Sequence, residues 1–182
     1  MRIGSRAWWS AAALGAMLGL GVQPADAQGA APIPRPPADK TAVLERYRGT
    51  WDVTIRTRQP KLAAVTSTET WDWTLDRRFL RGDTGIRSDG SQDNVIAGYD
   101  PTTRGFPFWI FSSTGAVIFL APGVWNPTTQ TLEWKNEAGA NIQYLIRCTF
   151  VERNQRQCTA LAKDWKGKVL LDQETVAVRR ER

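Results

Sequence analysis

From Trp51 onward, apolar and polar residues alternate with a period of two, the pattern of half-buried β-strands. In 65–75 the odd positions carry Val65, Glu69, Trp71, Trp73 and Leu75. The even positions carry Thr66, Thr68, Thr70, Asp72 and Thr74, a wet face rich in β-formers. Read this way, the chain predicts ten strands, near 50–58, 64–75, 78–87, 92–100, 105–112, 116–125, 130–136, 141–151, 155–163 and 167–180. Turn signals separate them: Asp89-Gly90, Ser113-Thr114-Gly115, Ala138-Gly139 and Lys166-Gly167. One turn is spelled twice, as Asp100-Pro101-Thr102-Thr103 and as Asn126-Pro127-Thr128-Thr129. In each, the Asx side chain bonds the backbone ahead while proline fixes φ.

Before the strands the period is helical. Val43, Leu44 and Tyr47 share one face, Asp39 stands as N-cap and Gly49 as C-cap, which predicts a helix of about two turns. Strands in meander order, each with one wet and one dry face, close into a barrel because closure removes the exposed edges. The predicted fold is therefore all-β: an antiparallel up-and-down barrel of about ten strands with a short N-terminal capping helix. The alternative is an open two-sheet sandwich.

Cys148 shares a face with Ile142, Tyr144, Ile146 and Phe150, and Cys158 with Ala160 and Ala162. In a hairpin turning near Arg153, Cys148 falls opposite Cys158, close enough for a disulfide. The other outcome is two buried thiols.

The N-terminus sets the compartment. Arg2 and Arg6 precede an apolar run from Ala11 to Val22, which is shorter than the ~20 residues that span a bilayer. Ala25 and Ala27 form a small-residue cleavage pair, so residues 1–27 read as a signal peptide cut after Ala27. Residues 28–38, with Pro32, Pro34, Pro36 and Pro37, read as an extended linker, and 39–182 as the single barrel domain. No later segment is long and apolar enough to span. The expected location is periplasmic or secreted, where a cysteine pair oxidises.

Of the 24 basic and 18 acidic residues, 22 and 17 lie beyond residue 27, a net charge of +5. The excess favours anionic partners only as a general field. Lys and Arg form no stripe, so nucleic acid is not an expected partner.

Leu44 through Gly49-Thr50-Trp51, Arg78-Phe79-Leu80, Gly98-Tyr99-Asp100-Pro101 and the run Phe108 to Gly115 resemble a bacterial family called domain of unknown function 1579. The resemblance covers about 44–179. It implies a lipocalin-like, or calycin, barrel and brings no activity, cofactor or catalytic residue. Gly49-Thr50-Trp51 is also similar to the Gly-x-Trp opening of lipocalins. That likeness implies that an arginine of the last strand, Arg179 or Arg180, lies over the Trp51 ring.

The chain has no histidine, which removes the usual general base, the haem ligand and the commonest zinc ligand. No Ser-His-Asp or Cys-His arrangement is possible. No cofactor or metal is implied, and nothing points to an enzyme. An acid pair among Glu69, Asp83, Asp93 and Glu133 is not fixed by any spacing. The expected function is to bind a small apolar or amphipathic ligand inside the barrel. The candidate lining is Glu69, Trp71, Trp73, Arg78, Trp109, Trp134 and Tyr144, with Arg78 or Arg81 as partner for Glu69. The alternative is a filled structural barrel acting through its surface on an envelope partner. The hairpin 105–123 is apolar on both faces, which either a homodimer contact or an exposed ligand-gating patch would explain.

Overall fold

The computed structural model describes residues 35–136 and 140–181. The proposed signal peptide, most of the linker and the Ala138-Gly139 turn lie outside them. Helix α1 (Ala38–Glu45) leads into ten strands: β1 (Gly49–Gln59), β2 (Val65–Thr74), β3 (Phe79–Asp83), β4 (Asp93–Gly98), β5 (Phe106–Ser112), β6 (Val117–Asn126), β7 (Thr131–Lys135), β8 (Ile142–Glu152), β9 (Gln155–Asp164) and β10 (Val169–Arg179). Each strand pairs antiparallel with the next, and β1 pairs with β10, which closes the barrel. This is the up-and-down barrel the alternation predicts, rather than the open sandwich.

Four boundaries differ from expectation. The helix begins at Ala38, so Asp39 lies in its first turn and Pro37 occupies the N-cap position without a side-chain cap. Gly49 is not the helix C-cap. It opens β1 at φ +118°, and a Cβ there would stand 2.7 Å from Nη1 of Arg179. Strand β3 ends at Asp83, short of the predicted 87, because Gly85 turns the chain at φ +59°. Strand β2 ends at Thr74, and Leu75, Asp76 and Arg77 all take positive φ, so Leu75 turns outward and is exposed.

The alternation up and down gives the barrel two ends. The base carries α1 and the β2–β3, β4–β5, β6–β7 and β8–β9 turns. The mouth carries the other connections. Both copies of the repeated turn fall at the base, and both fold alike. Asp100 Oδ1 accepts from the Thr102 N–H at 2.8 Å, and Asn126 Oδ1 from the Thr128 N–H at 2.9 Å. Arg104 and Gln130, four residues after the Asx, both close the turn at positive φ. Pro107 sits at the register shift between Phe106 and Phe108, where a strand tolerates the missing N–H.

A helix of two turns is marginal alone and is held by packing. Val43, Leu44 and Tyr47 are buried with Trp51 and Phe150 in the floor of the barrel. The Tyr47 ring meets Phe150 edge-on, with centroids 5.0 Å apart, and Trp51 donates its indole N–H to the Tyr47 carbonyl at 2.6 Å. The Arg179 guanidinium lies 4.3 Å from the Trp51 ring centroid and donates to the backbone carbonyls of Arg46 and Arg48. This is the closure that the Gly-x-Trp likeness implies, with Arg179 in the role. Arg180 instead bonds Asp52 on the outer wall.

Cys148 and Cys158 pair directly across β8 and β9 and form a disulfide, with Cα atoms 4.1 Å apart.

Candidate functional site

A cavity of about 410 Å³ runs up the barrel from the floor to the mouth. Its apolar wall includes Val95, Phe108, Ile110, Leu120, Trp134 and Ile146. These side chains come from β4 to β8 and share the inward parity of their strands. The disulfide lies in the same wall. The upper part is bounded by Leu62 and by Arg87, Asp89 and Ser91 of the 84–92 loop. That loop is pinned rather than loose. Arg87 bonds Asp93 at 2.6 Å and Ser91 Oγ at 3.2 Å, and Asp89 accepts from both the backbone N–H and the hydroxyl of Ser91. Hydrogen bonds from Gln92 and from the Gly85 N–H hold the Asp83 carboxyl below the usual carboxylate range.

The floor is polar and buried. Glu69 of β2 is 7% exposed and Arg156 of β9 is 4% exposed. Arg156 Nη2 donates to Glu69 Oε2 at 2.8 Å, and the Trp71 indole N–H donates to the same oxygen at 3.0 Å. The Arg156 guanidinium also lies 4.8, 5.2 and 5.8 Å from the ring centroids of Tyr47, Trp51 and Trp71. A charge of this kind is tolerated inside a barrel only when paired. Burial pushes the Tyr47 phenol well above its ordinary pKa, so it remains protonated.

Of the seven residues expected to line the interior, Glu69, Trp71 and Trp134 border the cavity. The other four do not. Trp109 has the opposite parity to Phe108 and Ile110, and it packs on Phe119 outside the wall, with centroids 5.4 Å apart. Trp73 shares the parity of Glu69 but sits below the cavity, where its indole N–H bonds Glu45 of the helix. Burial raises the Glu45 pKa, but the bonds from Trp73 and Arg48 outweigh it and leave the carboxyl below its usual value. Arg78 follows the positive-φ turn at the base, one residue before β3. Tyr144 faces inward and packs against the core, and its hydroxyl accepts the Ala121 N–H at 3.1 Å.

The partner of Glu69 is Arg156, not Arg78 or Arg81. Arg81 faces out and bonds Asn94. The signal for Arg156 was present: it continues the inward parity of Cys158, Ala160 and Ala162 by one step. Tyr47 was read only as a helix-face residue, and nothing in a period of 3.6 shows that its hydroxyl reaches a barrel interior.

The acids that border the cavity stand apart, Glu69 in the floor and Asp89 and Asp93 at the mouth end. Among the described residues no three His, Cys, Asp or Glu side chains converge to hold a metal, and no helix is long and apolar enough to cross a membrane.

No protein-family model and no curated protein matches the chain. Solved structures similar to it include an S-type phycobiliprotein lyase, CPES, from Guillardia theta, with 15% identity and a TM-score of 0.41, covering 81% of this chain and 99% of that one. A de novo designed fluorescence-activating β-barrel has 13% identity and a TM-score of 0.39, covering 75% and 95%. A protein of unknown function of the DUF3598 family from Nostoc punctiforme has 7% identity and a TM-score of 0.25, covering 77% and 98%. The barrel itself rests on its own closed ladder of strands.

Proposed function

We propose that this protein is an exported barrel that carries a small apolar or amphipathic molecule in its interior. The observation that carries the reading is the cavity of about 410 Å³, apolar along its wall and polar at its floor and rim. Binding pockets for small molecules have this size and make-up, about 300–1,000 Å³ of apolar lining with a few placed polar groups. The leader at 1–27 and the Cys148–Cys158 bond support export, because such bonds persist outside the cytoplasm. The motifs from Leu44 to Gly115 support placing the chain with the domain of unknown function 1579 family.

A second reading, of a barrel acting through its surface, is favoured by one observation. Trp109, Phe111, Val117 and Phe119 form an apolar strip on the outer wall of the 105–123 hairpin, and the last three are exposed. That strip suits a second copy of the chain.

Native mass spectrometry of protein purified from its own host tests both. A retained small-molecule mass on a monomer lacking residues 1–27 is the expected result. A bare protein mass that also takes up no apolar probe added in solution would overturn the carrier reading. A bare dimer mass would favour the second.

A further inference from the structure

The cavity floor holds hydrogen-bond donors that the protein does not use. Arg156 gives Nη2 to Glu69, yet its Nε and Nη1 are buried without a protein acceptor. The Tyr47 hydroxyl, on a residue 2% exposed, is also buried without one. Both side chains border the cavity. The ring faces beside Arg156 attract its charge, a weaker tie for its N–H groups than an oxygen acceptor provides. Leaving a buried donor unmet is costly, and natural proteins seldom do so without a ligand or an ordered water at the spot.

Charge narrows what fits. Glu69 already balances Arg156 at 2.8 Å. A carboxylate entering the floor would add an uncompensated negative charge inside the barrel, which burial penalises. An ammonium would bring donors to donors. An uncharged carbonyl oxygen has two lone pairs, accepts from N–H and O–H together, and leaves the charge balance as it is. The Arg179 guanidinium, on the far side of Trp51, gives Nη1 and Nη2 to the carbonyls of Arg48 and Arg46 and does not border the cavity.

We propose that Arg156 Nε and Nη1 and the Tyr47 hydroxyl form a donor subsite that seats the uncharged carbonyl end of an otherwise apolar ligand. The ligand class is therefore an apolar ketone, ester or amide, entering with its apolar body along Phe108, Ile110, Leu120 and Trp134. This rests on the carrier reading above and adds the chemistry of the bound head.

Three probes of nearly one shape test it: 2-acetylnaphthalene, 2-ethylnaphthalene and 2-naphthoate, each measured against the full mature chain by equilibrium dialysis. The ketone is expected to bind about tenfold more tightly than the hydrocarbon, and the carboxylate more weakly than the ketone. Tyr47→Phe keeps the ring packing and is expected to shrink the ketone's advantage severalfold while leaving the hydrocarbon unchanged. The double variant Arg156→Met/Glu69→Met removes both charges together and is expected to shrink the advantage likewise, and adding Tyr47→Phe to it is expected to abolish the advantage. Equal binding of ketone and hydrocarbon to the wild type overturns the subsite and leaves the carrier reading standing. Tightest binding by the naphthoate overturns the uncharged class. Failure of all three to bind overturns the carrier reading and the subsite with it.

Discussion

At the base of the barrel, Leu44, Tyr47, Trp51 and Phe150 are buried under a helix and an arginine. At the mouth, Leu62, Ile86, Val117, Ile142 and Trp165 stand exposed, one in or beside each of the five connections. Charge divides the same way. Arg48, Arg179 and Arg180 at the base are spent on Glu45 and Asp72, on backbone carbonyls and on Asp52. Lys61, Lys135, Lys166 and Lys168 lie at the mouth and are exposed. The base is thus closed by a helix, an arginine and buried aromatics, whereas the mouth keeps exposed apolar groups and lysines beside a pinned loop in which Arg87 holds Asp93. A carrier of the kind proposed requires such a division, because the end that fixes the shape cannot also be the end that admits a guest.

The division is most easily broken at the base. Trp51→Ala removes a fully buried indole, its bond to the Tyr47 carbonyl and the surface under both Arg156 and Arg179. Large aromatic-to-alanine changes in a core cost about 3–5 kcal/mol. Urea unfolding is expected to show a loss in that range. A loss below about 1 kcal/mol would mean that the base does not anchor the barrel.

The wall between the ends gives a smaller effect. The disulfide closes a sequence separation of only 10 residues between two strands already paired. By loop-closure entropy it adds about 2–3 kcal/mol. Cys148→Ala with Cys158→Ala is expected to lower the unfolding free energy by that amount and to leave the circular dichroism of the barrel unchanged. A loss of the strand signal at 25 °C would show instead that the bond is needed to close the wall.

The wall was legible in the sequence because it obeys a period of two. Ten strands, both spellings of the Asx-Pro turn and the Cys148–Cys158 register all follow from parity and turn chemistry. The site was less legible, since parity says which face a residue takes and not how deep it lies. Trp71 and Trp73 share a face, yet one borders the cavity and the other plugs the base beside Glu45. Trp109 was misplaced because both faces of β5 are apolar, so composition does not choose between them. Arg156 and Tyr47 come from distant stretches of chain, and only closure of the barrel brings them together at the floor.

The smallest effect is expected at the mouth. Ile86 is 76% exposed in the 84–92 loop, and the hydrogen bonds of that loop run through its neighbours. Arg87 holds Asp93 and Ser91, and Asp83 caps Gly85, so none of the ties passes through the Ile86 side chain. Surface substitutions away from such ties usually stay within about ±0.5 kcal/mol. Ile86→Ser is therefore expected to leave the thermal midpoint within a few degrees of wild type, where Trp51→Ala lowers it by far more. A drop approaching that of Trp51→Ala would mean that the exposed apolar groups of the mouth hold the barrel together. The contrast between a closed base and an open mouth would then be one of appearance rather than of stability.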